Sequence, residues 1–490
     1  MPPVLGVDIG TTNVKGILID ENQEILATAS HPLRIERPRR HWSEQRPQAW
    51  WSAFLAVCGK LRHRLPKVWA DVSSIGLTGQ MHAAVCLDES GRPLRPAILW
   101  NDARARAECA ELAKLVPNLH EIAGVIPMAG FTAPKVLWLR RHEPKVFDRI
   151  AHVVFAKDFV RLKLTGEYVT DMSDAAGSLW LDVRARQWSA PIVAAGGLLP
   201  THLPRLAEGP DVSATLLPSI ARKLGLPKGV VLAAGAGDVA AGALGIGAIA
   251  EGDSFLSLGT SGQYFVVRER FTLGPDPTVH SFAHCLPGRW YQMAALLNGA
   301  SCLEWICRIL GVTIGAALAD VEKTARSPSP ALFLPYLAGE RTPHNDPDLR
   351  AAFLGVGHAT TRANLVQSVL EGVALSFADV EDRLQTTASG GKELPVVGGA
   401  ARSTLWVQIL ADVLGRDLVL YRNAEAAAPL GAARLARMAL TREPPRSVCL
   451  PPKISKRIRP RASWHDEYVG ILQEFRRSIR VSRLRPARHS

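Results

Sequence analysis

The chain of 490 residues is poor in several features, and each shortage excludes a class of protein. Its seven cysteines include no C-x-x-C pair and nothing with zinc-ligand spacing, so a zinc module or a disulfide scaffold is not expected. Cys302 and Cys307, the nearest pair, read as apolar positions of one helix. Long apolar runs are missing as well. No stretch of 18 or more residues stays apolar without a charge, and the nearest candidate, Val230 to Gly237, stops at Asp238, so no membrane span is expected. The N-terminus lacks the basic and apolar regions of a secretory signal. Free thiols without an export signal fit a reducing cytoplasm. The Walker A pattern G-x-x-x-x-G-K-[ST] is also absent, which argues against a P-loop kinase. With 47% hydrophobic and 21% charged residues, the chain is long enough for two or three domains with real cores.

Acidic charge is in deficit, and the formal net charge is +13. The excess is local. Thr441 to Ser490 holds thirteen Lys and Arg against four Asp and Glu, leaving only +4 for everything before it. This segment lacks interleaved aromatics that could stack on bases, so no nucleic-acid partner is expected. It reads as a solvated helix and a frayed tail.

What is present reads twice. Val4, Leu5, Val7 and Ile9 alternate like a strand, Gly10-Thr11-Thr12-Asn13 forms a tight polar turn, and Val14 to Ile19 returns. A second copy begins with Phe255 to Leu258, turns at Gly259-Thr260-Ser261-Gly262 and returns through Tyr264 to Val267. Two Ala/Gly-rich helices, near 240 and near 430, also recur. We expect an α/β protein of two related domains facing across a cleft, 1–247 and 248–490, with the two helices packed backbone to backbone where the domains meet.

Gly-Thr hairpins suit phosphate oxygens, because glycine permits close approach and successive amides make an anion-binding concavity. Two such turns could hold one polyphosphate from both sides. Asp8 precedes the first turn. A carboxylate beside a polyphosphate is repulsive unless a cation lies between them, so Asp8 is a candidate for a Mg²⁺ site; its plainer reading is a turn cap. Val396-Val397-Gly398-Gly399-Ala400 is a strand, a glycine turn and a helix start. Gly235-Ala236-Gly237-Asp238-Val239-Ala240 fits a dinucleotide fingerprint, which makes an oxidoreductase a rival reading. An Asp there would face the pyrophosphate, however. Asp238 reads better as a base taking the proton of an attacking hydroxyl. Gln80-Met81-His82 comes after another strand, and could give an apolar wall and a hydrogen bond to a polyol.

Taken together, these residues resemble the FGGY carbohydrate kinases. The signatures run from Gly130 to His142 and from Ala351 to Glu371, and Asp171 to Gly177 and Gly339 to Asn345 add to the likeness. The resemblance implies two RNase H-like domains, ATP and Mg²⁺ as cofactors, and phosphorylation of a small sugar. It is strongest to members acting on the ketopentose D-xylulose at O5, with ribulose or another ketose or polyol as the alternative. It also implies roles. Asp238 would be the catalytic base and Asp8 would act through the metal. Met81 and His82 would touch the sugar. Thr11 and Thr12, then Gly259, Thr260 and Ser261, would line the phosphates, and Gly398, Gly399 and Ala400 the nucleotide. A homodimer is left open. Three positions depart from the family pattern: Val239 stands where Asn is common, Ala400 where a third glycine is common, and Ala83 where glycine usually comes after His. They motivate a second reading, a catalytically weak sensor on the same fold.

Overall fold

The computed structural model describes residues 2–384 and 393–483. Alternation of apolar and small residues makes Val4–Ile9 and Asn13–Ile19 an antiparallel hairpin, with Ile9 opposite Val14. In the second half Ser254–Leu258 and Gly262–Arg268 pair the same way, with Leu258 opposite Gly262. Each hairpin seeds one of two seven-stranded mixed sheets. The first runs Val212–Thr215, Val231–Ala233, Ser74–Gly79, Val4–Ile9, Asn13–Ile19, Ile25–Pro32, and the short strand Ala236–Gly237 continues beside Ser74–Gly79. The second runs Ile454–Ile458, Leu418–Tyr421, Leu394–Val397, Ser254–Leu258, Gly262–Arg268, Trp290–Leu296, His280–Ala283. From each hairpin outward the order and directions agree: a parallel strand, a second parallel strand and an antiparallel edge on one side, antiparallel strands on the other.

The halves are not independent cores. Helix Ala427–Thr441 comes from the second half yet lies on the first sheet. A Cβ on Gly76 would sit 1.8 Å from the Ala432 carbonyl oxygen, and one on Gly6 would sit 2.1 Å from that of Pro429. The same helix packs backbone to backbone on helix Asp238–Ile246: Gly245 abuts Ala427 and Gly431 abuts Ala241, each leaving under 2 Å for a Cβ. Glycine at these positions is required by close approach, and any side chain would push the helices apart. The buried Arg434 adds polar closure, donating to the carbonyls of Leu244 and Gly245 where helix Asp238–Ile246 ends. One apolar cluster accordingly runs through both halves. On its other face the first sheet is covered by helix Pro47–Arg64, whose Val57 packs over Gly16.

The basic C-terminal segment differs from the solvated helix and tail expected of it. Ile454–Ile458 is the edge strand of the second sheet, and helix Ala462–Ser478 buries Tyr468 and Phe475. Its arginines are matched by acids of the same half. Arg461 pairs with the buried Asp412 at 2.5 Å, Arg476 with Asp379 at 2.7 Å, and Arg457 with Glu393 at 2.5 Å. Local composition could not show this, because the partners lie far away in the chain. The remainder of the expected tail, 484–490, lies outside the described residues. Among the described residues no single helix is long and apolar enough to cross a membrane.

Candidate active site

Three adjacent strands of the first sheet run parallel and end together, with Ile9, Gly79 and Gly237 in register. The residues at these three strand ends therefore meet at one edge: Gly10 with Asp8 just before it, Gln80-Met81-His82, and Asp238. Ligands of open α/β sheets bind at such carboxyl ends. The glycines of the rival fingerprint are explained by this packing. A Cβ on Gly235 would sit 2.1 Å from the Leu77 carbonyl oxygen, and one on Gly237 would sit 2.7 Å from Met81 Cγ. They serve strand approach, not a pyrophosphate.

Two carboxylates share this edge. Burial pushes Asp8 up to about 6 against the pull of Lys15, its cross-strand neighbour. Asp238 is pushed up to about 7, by burial first and then by the negative charge of Asp8. The Val239 amide, 2.9 Å from Asp238 Oδ1, opposes that rise. Asp8 Oδ1 is buried and has no hydrogen-bond partner among the described residues. Two like charges and an orphaned oxygen suit a cation. No group of three or more His, Cys, Asp or Glu capable of holding a metal occurs among the described residues. The donor set fits a cation such as Mg²⁺, which keeps several waters and takes phosphate oxygens as ligands.

Met81 presses on Gly237, the residue before Asp238, and His82 lies next along the chain from Met81. A Cβ on Gly177 would lie 2.8 Å from both His82 Nδ1 and Met81 Cε, so both side chains press on that glycine. His82 holds a left-handed backbone, φ 69°, which is unfavourable for a side chain with a Cβ. Its carbonyl is held there by Lys135 Nζ at 2.8 Å and Thr132 Oγ1 at 3.1 Å. Burial pushes the imidazole down to about 3, so it is neutral at pH 7. Nδ1 lies 2.6 Å from the Gly177 carbonyl oxygen, which only accepts, so Nδ1 carries the proton. Nε2 is left as an acceptor for a hydroxyl.

A buried ionic cluster lies behind the Asp238 turn. Lys157, fully buried, meets Asp158 at 2.8 Å, Asp171 at 2.9 Å and Asp174 at 3.1 Å. Arg161 donates to the carbonyls of Ala233 and Ala234, the strand leading to Asp238. Ser173 donates to Asp171 and accepts the Gly237 amide at 2.9 Å. Asp171 also caps helix Met172–Ala176. Three carboxylates outweigh burial and hold Lys157 above its usual range. The cluster thus sets both backbone ends of the turn that presents Asp238. Sequence reading found the Asp171–Asp174 loop without placing it, and missed Lys157 and Arg161. The available signal was two cations, i and i+4, with an acid beside the first, in one short helix, Ala156–Thr165.

The two phosphate turns are placed differently. Thr11 Oγ1 donates to Gln80 at 3.0 Å and accepts from Trp100 Nε1 at 3.0 Å, so its hydroxyl is occupied inside the protein. Thr12 is exposed. In the second half, Ser254–Leu258 and Leu394–Val397 are parallel, so Gly259-Thr260-Ser261 and Gly398-Gly399-Ala400 emerge at one edge. The Gly259 and Thr260 carbonyls accept from Ala300 N and Ser301 Oγ, which pins this turn to the start of helix Ala300–Leu310. Gly398 has φ 101°, and a Cβ there would sit 2.5 Å from the Leu258 carbonyl oxygen. A Cβ on Gly399 would meet open space.

Residues 3–245 match the N-terminal domain of the FGGY family of carbohydrate kinases, and residues 255–440 match its C-terminal domain. The chain belongs to that family. As a carbohydrate kinase it is a phosphotransferase that takes a sugar and ATP. Among its relatives, xylulose kinase of Escherichia coli is 43% identical over 442 residues, spanning 90% of each chain. Xylulose kinase of Bacillus subtilis is 32% identical over 439 residues, 89% of this chain and 88% of that one. A xyloylose kinase from Brucella ovis superposes with a TM-score of 0.93 at 41% identity, covering 97% of this kinase and 98% of that one. A glycerol kinase with ADP from Plasmodium falciparum, 18% identical, shares the fold with a TM-score of 0.87 and covers 99% of each chain.

Proposed function

We propose that this kinase transfers the γ-phosphoryl group of ATP to O5 of D-xylulose, with Asp238 as the general base. The first half, 1–247, would hold the acceptor and the second, 248–490, the nucleotide. Support comes from relatives of 30% to 43% identity named xylulose kinase and from one observation above all: Asp238 follows the glycine that Met81 presses on and feels the charge of Asp8, with a pKa raised to about 7. A base of that strength is ionised about half the time at neutral pH and matched to take a proton there.

Asp238 would accept the O5 proton as the oxygen attacks. Met81 would line the carbon chain, and His82 Nε2 would accept from one of its hydroxyls. Asp8, with its orphaned Oδ1, would hold Mg²⁺ through water. When bound, that ion would neutralise phosphate charge near two carboxylates. Gly259, Thr260 and Ser261, with the amides of the Gly10-Thr11-Thr12 turn rather than the occupied Thr11 hydroxyl, would face the phosphates. The open space over Gly399, with Ala400 beside it, would admit the adenosine. The test is ADP release with ATP, Mg²⁺ and a panel of ketoses, aldoses and polyols. D-xylulose is expected to stimulate most, and Asp238→Asn to remove the stimulation. A preference for another acceptor would reassign the substrate; ADP release indifferent to every sugar would favour the weak sensor.

A further inference from the structure

We infer that His280 and Arg341, both from the second half, form the end of the acceptor site opposite Asp238 and hydrogen-bond the oxygens of the sugar at C1 and C2. This rests on the ketose reading above. The residues form a chain leading away from the base. Gly237, next to Asp238, touches Met81, and Gly177 touches both Met81 and His82. The His82 ring lies edge-on to Phe131 at 4.7 Å, and Phe131 meets His280 at 5.5 Å. Gly130, before Phe131, is also next to Arg341: a Cβ there would lie 3.5 Å from Nη2.

His280 is fully buried on the edge strand His280–Ala283, and neither ring nitrogen has a partner among the described residues. Buried polar atoms without partners are rare and costly. Arg341 is partly buried, and no hydrogen bond or ion pair joins its guanidinium to another described residue. Its neighbour Glu340 attracts it by charge without bonding the guanidinium, since its oxygens accept from the amides of Leu297 at 2.6 Å and Arg341 at 2.8 Å and from Asn298 at 3.2 Å. A guanidinium offers only donors and requires acceptor oxygens; an imidazole requires one donor and one acceptor. A polyhydroxy ketone supplies both. Burial first, and then the charge of Arg341, hold His280 neutral, so its ring offers one donor and one acceptor. Because the two residues come from the second half, the sugar would be gripped by both halves at once.

The experiment compares D-xylulose with 1-deoxy-D-xylulose, which lacks the hydroxyl at the proposed end, in wild type, Arg341→Ala and His280→Phe. Wild type is expected to favour D-xylulose strongly, since a site built to bond a hydroxyl rejects the analogue lacking it. In each variant KM for D-xylulose is expected to rise about 10-fold or more, KM for ATP to stay, and the preference over the deoxy sugar to shrink to a few-fold. Arg341→Lys and His280→Asn serve where the larger changes prevent folding, with the same loss of preference expected in part. Folded variants that keep the wild-type preference overturn the proposal. A wild type that phosphorylates other sugars but neither ketose overturns the ketose reading, and the proposal with it.

Discussion

The two halves share a strand order and differ in what stands at the strand ends. In the first, the parallel strands end in Asp8, Met81-His82 and Asp238. In the second, the equivalent edge ends in Gly259-Thr260-Ser261 and Gly398-Gly399-Ala400. Aligned on the hairpin turns, Ser257 stands where the first half has Asp8. One edge concentrates negative charge and imidazole; the other offers amides, hydroxyls and room. The difference teaches that topology supplies an edge and that a few side chains decide whether the edge does chemistry or holds a ligand. It also explains why buried ionic support lies behind the first edge, where a carboxylate must be kept in an unfavourable place.

The largest effect is expected where the first half alone acts. Asp238→Asn should lower kcat about 100-fold or more. The same change should stabilise the metal-free protein at pH 8. With its folded pKa raised, Asp238 makes the native state bind more protons than the unfolded chain between about pH 4 and 7, so stability falls as pH rises through that window. Thermal melts in chelator from pH 5 to 8 should show the slope in wild type and a weaker one in the variant, and Mg²⁺ should offset the loss at pH 8. A melt in which the variant is less stable at pH 8 would refute the carboxylate's environment as described.

Next comes the support of that edge. Lys157→Met leaves Asp158, Asp171 and Asp174 buried without their shared cation, and should cost on the order of 3–5 kcal/mol in denaturant unfolding. Turnover at a temperature where the variant remains folded should also fall, because the Ser173–Gly237 contact loses its anchor. Intact activity in a folded variant would detach the cluster from Asp238.

The second half is tested by making it resemble the first. Ser257→Asp places a carboxylate near the proposed phosphates, with nothing described to offset it, and should raise KM for ATP about 10-fold while leaving KM for the sugar alone. The smallest effect is expected for Gly399→Ala. A Cβ there meets open space, so the melting temperature should be unchanged, while KM for ATP rises a few-fold if adenosine lies over this turn. Unchanged ATP affinity would move the nucleotide elsewhere along the edge.

Much of this is legible in the residues. Both hairpins, the glycine turn at 398–399 and the close helices near 240 and 430 stand where their local patterns put them. Alternation with period two and runs of small residues are local consequences of strand geometry and close packing. Asp8 and Asp238 stand out in the sequence because a carboxylate beside a phosphate turn demands a reason. The departures from the family pattern find quieter places: Val239 is buried and serves Asp238 through its amide, a bond any residue but proline could supply.

The sequence by itself determined the strands, the turns and the kinds of side chain at their ends, since these depend on neighbours within a few residues. Only the tertiary structure decided which ends meet. It brought Asp8 and Asp238 to one edge across more than two hundred residues, and set Lys157 under the Gly237 turn. It laid a second-half helix on the first sheet, turned the basic segment into an edge strand and helix matched by distant acids, and placed His280 and Arg341 opposite His82. Charge compensation, burial and backbone approach act through space, and spacing along the chain carries no record of them until the sheets have formed.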